Sequence, residues 1–159
     1  MVTPDRGRER VESVLEDLEQ RYGSCPVNQS TVSVSGERYA DVREAEPADR
    51  VGAYAAVRND DAEILHVSDG DGAELPGGRL PLDGALGGRV CQVVERQTGV
   101  ECALDGLERV TIVGIRDADD PDRETVYRVV VVFAGTHTAG RPGEGAEWKS
   151  RPAGTPPVR

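Results

Sequence analysis

Val93, Arg96 and Gln97 lie at i, i+3 and i+4 of one apolar-striped segment, a spacing that puts all three on one face if the segment is helical. Three carboxylates so placed would give a divalent cation oxygen ligands. Here the three places hold an aliphatic, a cation and a neutral amide. Val93 has no ligand atom, and Gln97 has one weak neutral oxygen. Arg96 would repel a metal ion, yet its planar guanidinium suits a phosphate held through paired hydrogen bonds. The plainer alternative is an Arg96 that faces solvent and pairs with an acid such as Glu101. Glu95 falls about 200° round the axis from Val93 and Gln97, on a solvated face. His66 and His137 are far apart in sequence and read as ordinary strand residues. Cys25, Cys91 and Cys102 form no CxxC pair, which argues against a disulfide framework or a zinc site. Asp69–Gly72 (DGDG) opens like a calcium loop, but the twelfth position of such a loop is Leu80, not Glu. Asp117–Arg123 (DADDPDR) reads as a solvated turn.

The elements that must position these residues follow from periodicity. Val11, Val14, Leu15, Leu18 and Tyr22 make one apolar stripe and predict a helix over 8–22, with Gly23 as its stop. Its stripe is expected to dock on the rest of the chain, with a partner as the other option. Val32 and Val34 alternate with Ser and Thr as in a strand. Residues 51–57 and 63–67 flank the turn signal Asn59-Asp60-Asp61 and predict a hairpin. A second helix is expected after Asp83 as N-cap, with Leu86, Val90 and Val94 inward and Gly99 ending it. Gly87 and Gly88 weaken that helix, by about 1 kcal/mol each relative to Ala. Two strands follow, over 107–115 and 125–134. The second, with Val129–Phe133 apolar on both faces, is expected at the centre of a sheet. Glu147-Trp148 is the last place expected to pack, and 151–159 reads as a loose tail. This order gives an α+β domain with a mixed sheet. It divides as an N-terminal helix over 1–26, a main domain over 27–150 and a tail over 151–159.

Residues 75–100, LPGGRLPLDGALGGRVCQVVERQTGV, resemble the Nudix box of the Nudix hydrolase family, in degenerate form. Laid on without a gap, Gly78, Val94, Gly99 and Val100 match its glycine and aliphatic positions. Gly84 stands at its first Glu, Gln92-Val93 at its Arg-Glu pair and Arg96-Gln97 at its Glu-Glu pair. The resemblance implies a mixed sheet sandwiched between helices, with the box as a loop and a helix. It also implies descent from nucleoside diphosphate-X pyrophosphohydrolases that work with Mg²⁺ or Mn²⁺. The metal-holding acids are replaced, so no metal cofactor is expected. Gly84 and Gln92 replace both partners of the family's Glu–Arg pair, a double loss that can be nearly neutral. Gly78, Arg96 and Gln97 are then the ligand-binding candidates, for a phosphorylated small molecule. Should hydrolysis survive, Glu144 and Glu147 are the candidate ligands or bases, by analogy with an acid near the family's last strand. Three functions compete: a binding module without the usual activity, a pyrophosphohydrolase with rearranged metal ligands, and an interaction protein docking through its first helix.

Charge narrows the partners. The 159 residues carry 29 acids against 19 bases, a formal net charge of -10, and Lys149 is the single lysine. Acids spread so evenly fit a salt-adapted, haloarchaeal-like surface that resists aggregation. Such a surface disfavours nucleic acid and anionic membranes as partners. No apolar run reaches a membrane span, and the N-terminus lacks an apolar signal core, so a cytoplasmic protein is expected.

Overall fold

The valine run Val129–Val132 sets the middle of the sheet. In the computed structural model, which describes residues 6–44, 50–68 and 73–150, it lies in β7 (Val126–Gly140). β7 is flanked on one side by β6 (Val100–Asp117), antiparallel, and on the other by β2 (Arg50–Arg58), parallel. Val129, Val131 and Phe133 enter one core layer while Val130 and Val132 enter the other, so the run needs apolar side chains on both faces. The sheet continues outward from β6 to β1 (Val27–Val34), a parallel neighbour. In the other direction β2 leads to β3 (Ile64–Ser68) and β4 (Ala73–Glu74), with β5 (Gly77–Pro81) on β2 and β8 (Ala146–Lys149) on β3. The expected mixed sheet is therefore observed, with eight strands among the described residues and both parallel and antiparallel pairs. Both β6 and β7 run beyond the expected limits.

Helices cover both faces. α1 (Arg6–Tyr22) buries Val11 and Leu18 against the sheet, and its Tyr22 ring meets Phe133 edge-on at 5.1 Å. Its stripe is thus used internally, as the periodicity suggested. α3 (Leu86–Thr98) joins the same layer through Leu86, Val90 and Val94, each fully buried. Burying such side chains stabilises by roughly 1.5–3 kcal/mol each, which offsets the cost of Gly87 and Gly88. Gly99 ends α3 in the left-handed conformation, φ 82°, with its N–H donating to the Glu95 carbonyl.

Two expectations are corrected. α3 begins at Leu86 with Ala85 as N-cap, not directly after Asp83. The Asp83 carboxylate instead accepts from the Ala85 N–H at 2.8 Å and pairs with Arg89 at 2.6 Å, holding the turn before the helix. A third helix, α2 (Gly36–Glu44), follows β1 where none was foreseen. Its apolar signal is only Tyr39 and Val42, too sparse to read as a stripe. Yet both are buried against Val113 and Ile115, and the Tyr39 hydroxyl donates to the Glu124 carbonyl. The one local cue was Ser35, whose Oγ accepts from the Arg38 N–H as an N-cap would. Asp69–Gly72 and 151–159 lie outside the described residues. Among the described residues no helix is long and apolar enough to cross a membrane.

Candidate functional site

Gly77 begins the site. Its φ is +148°, and a Cβ there would stand 2.2 Å from the Ala53 carbonyl oxygen and 2.6 Å from the Tyr54 Cα. Only glycine lets β5 lie this close to β2. Gly78, the position the box alignment selects, has open space where a Cβ would be. The steric demand therefore falls one residue earlier than the alignment places it.

From α3, Gln97 reaches back to the same residue. The Gly77 N–H donates to Gln97 Oε1 at 3.0 Å, and Gln97 Nε2 donates to the Gly77 carbonyl at 2.9 Å. The amide forms a two-point clamp between α3 and β5. A carboxylate could accept the first bond but could not donate the second. The clamp therefore needs glutamine, at a position where the Nudix box has glutamate.

Beside the clamp is a cavity of about 350 Å³, lined by Tyr54, Ser68, Glu74, Arg79, Gln97, Glu144 and their neighbours. It brings together Gly78, Gln97 and Glu144 from the sequence candidates. Arg96 and Glu147 do not line it. Arg96 is exposed on α3. Glu147, on β8, is 61% exposed and pairs with Lys149 at 3.2 Å. Arg79, Glu74, Tyr54 and Ser68 were not singled out from sequence. Arg79 had a signal: it is a base directly after paired glycines in an acid-rich chain. Tyr54 and Glu74 had none, because only the fold brings β2 and β4 to this spot.

The helix face does not suit Mg²⁺. Val93 is buried and aliphatic, Arg96 is cationic, and the Gln97 amide is committed to Gly77. Among the described residues no group of three or more His, Cys, Asp or Glu side chains is placed to hold a metal ion. Gly84, at the family's first Glu position, has Arg21 Nη1 3.2 Å from where its Cβ would be, so α1 presses on this loop. The Asp83–Arg89 pair ties the loop in place. The Arg89 hydrogen bond, then the Ala85 N–H, hold the Asp83 carboxyl below the usual carboxylate range. Thiol chemistry is also unfavoured. Burial, then neighbouring Cys91, push the Cys102 thiol up to about 12, so it stays protonated near neutrality.

No family model matches the chain, and no curated protein matches it. Solved structures do. A UDP-X diphosphatase is 18% identical at a TM-score of 0.49, covering 94% of this chain and 73% of its own. An ADP-ribose pyrophosphatase from Streptococcus suis 89-1591 is 16% identical at 0.45, covering 64% of this chain and 74% of its own. A provisionally assigned oxidoreductase from Sinorhizobium meliloti 1021 is 15% identical at 0.45 over 71% of this chain, which spans 33% of that longer protein. At such identities and TM-scores these likenesses assign no activity, and the α+β architecture rests on the mixed sheet and its helices.

Proposed function

We propose that the chain is a small-molecule binding module, akin to Nudix pyrophosphohydrolases by its degenerate box, which takes a phosphorylated ligand in the Gly78–Arg79 cavity without metal-dependent hydrolysis. The observation that carries this reading is the convergence of Arg79, Glu74, Glu144 and Tyr54 on one cavity beside the clamped box loop. Its volume falls at the small end of ligand sites, which run roughly 300–1,000 Å³. Arg79 supplies the planar donor that a phosphate accepts. Glu74 and Glu144 supply acceptors for hydroxyl or amino groups, and Tyr54 an aromatic wall. A phosphorylated sugar or a mononucleotide carries all of these partners. Arg96, exposed and outside the lining, is not part of this site.

The test is thermal unfolding in KCl with nucleotides, nucleotide sugars and sugar phosphates, in EDTA and again with Mn²⁺. A ligand that raises Tm equally in both, and no longer does so with Arg79→Ala, supports the module. Phosphate release that needs Mn²⁺ and is abolished by Glu144→Gln would overturn it in favour of a hydrolase with rearranged ligands. The expected cytoplasmic setting belongs with this reading, since phosphorylated metabolites are kept there by their charge.

A further inference from the structure

Among the described residues no strand pairs with the outer edge of β1. β1 stands at one end of the strand order, and its burial is exposed at every position except partly buried Val34. Val27 and Val32 are 50% and 39% exposed. Its pairing with β6 runs from Val27 to Val34 with no bulge. Sheet edges are ordinarily blunted by charge, proline or a bulge, because an open row of N–H and C=O groups templates another strand. Val27–Val34 (VNQSTVSV) has none of these.

Two hydrogen bonds settle which backbone groups face outward. The Val110 N–H donates to the Pro26 carbonyl at 3.0 Å, and the Ala118 N–H donates to the Val34 carbonyl at 2.8 Å. Even-numbered residues of β1 thus turn their backbone toward β6. Odd-numbered ones, Val27, Gln29, Thr31 and Ser33, turn their N–H and C=O away from it. Alongside lies a groove of about 250 Å³, lined by Leu15, Leu18, Cys25 and Val27 and also by the exposed acid Glu19. The edge therefore offers a backbone ladder and an apolar flank together.

Charge selects the occupant. The chain carries -10, so two copies repel over most of their surfaces. The longest uncharged run in the sequence is Tyr22–Gly36, and it contains β1. The strand itself brings no carboxylate to such a contact; Glu19 of α1, beside it, is the acid that salt must screen. We propose that the protein self-associates through β1, two copies pairing antiparallel about a two-fold axis at Ser30 to continue the sheet across the dimer. In that register Val27 faces Ser33 of the other copy, Asn28 faces Val32, Gln29 faces Thr31 and Ser30 faces its equivalent. Every outward N–H and C=O between Val27 and Ser33 is then paired. The apolar flanks beside α1 add contact area that a strand pair alone lacks.

Sedimentation velocity of the full chain tests this across a dilution series at low and high KCl. The expected result is a monomer–dimer equilibrium in which dimer grows with concentration and with salt, as screening relieves repulsion. Thr31→Pro removes an outward N–H and leaves the β6 ladder whole, the placement in which edge strands tolerate proline. It should weaken dimerisation by roughly tenfold or more with unchanged circular dichroism. Gln29→Glu with Thr31→Glu, which sets like charges opposite each other, should likewise give monomer. Gln29→Lys with Thr31→Glu sets opposite charges face to face in the same register and should restore the dimer. A monomeric wild type at every concentration and salt overturns the proposal, including the case where the edge takes a strand from a different protein. Dimers that survive both Thr31→Pro and the double-Glu variant overturn it too.

Discussion

Gln97 shows why substitutions in the box cannot be read one position at a time. Its amide makes one hydrogen bond as acceptor and one as donor to Gly77. Gly77 in turn tolerates no Cβ against Ala53. The two residues form a unit that fixes β5 against α3 and shapes the cavity rim. Gln97→Ala should therefore cost about 1 kcal/mol in urea unfolding, the net worth of two partly solvated hydrogen bonds. Gln97→Glu restores the box acid but loses the donor and sets a carboxylate against the Gly77 carbonyl. That contact favours the protonated acid, so the folded-state pKa of the new carboxyl rises above its unfolded value. The stability this adds is present at low pH and lost as pH rises through the folded pKa. Gln97→Glu should thus approach wild-type stability in acid and fall below it at neutrality, relative to a parallel wild-type series. Equal gaps at both pH values would mean that the amide donor does not bind Gly77. The clamp was only partly legible in the sequence. Gln97 stood out as a non-acid on a helix face, but its partner lies across the α3–β5 packing, which no local spacing encodes.

At the scale of elements, legibility follows how much apolar pattern each segment carries. α1 was readable because its buried side chains repeat with a helical period, and the β2–β3 hairpin and the centre of β7 because each carries a short, unbroken apolar run. α2 was not. Tyr39 and Val42 are its buried residues, and its stability is tertiary, including the Tyr39 hydroxyl bond to Glu124 and Arg123 stacked over the ring at 5.1 Å. α3 lies between these cases. Its buried stripe was plain, but its start was misplaced because Asp83 caps the preceding turn rather than the helix. The paired glycines make α3 testable. A Cβ at Gly88 would meet nothing within 4 Å, so Gly88→Ala should stabilise by about 0.5–1 kcal/mol through helix propensity alone. Gly99→Ala should do the reverse. It forces Cβ into a left-handed residue and to 3.0 Å from the Arg141 carbonyl. Chemical denaturation of both variants reads the two signs. A destabilised Gly88→Ala would mean that the exposed side of α3 is packed by something else in solution.

Across the whole molecule, the balance of 29 acids against 19 bases sets the conditions under which either the cavity or the β1 edge can work. Ion pairs cannot reduce this excess, since each uses one acid and one base. The pairs Arg21–Asp17, Arg58–Glu108, Arg89–Asp83 and Lys149–Glu147 all involve side chains at least a quarter exposed, where such pairs contribute little. Arg123–Asp117 differs in having a buried carboxylate, 3% exposed, which also accepts the Asp119 N–H. The remaining acids repel one another in the compact state more than in the expanded chain, so counter-ions should favour folding. Tm should therefore rise with KCl. The shape of the rise identifies its cause. The screening length is already about 10 Å at 0.1 M salt and about 3 Å at 1 M. If long-range repulsion is the main cost, most of the gain arrives below molar KCl and then levels. A Tm that keeps climbing well past that point would instead show exposed neighbouring carboxylates, such as those of Asp119, Asp120 and Asp122, holding hydrated cations. A Tm that is flat or falling in KCl would remove charge repulsion as the controlling term. The uncharged composition of β1 would then lose its role in selecting where two copies meet.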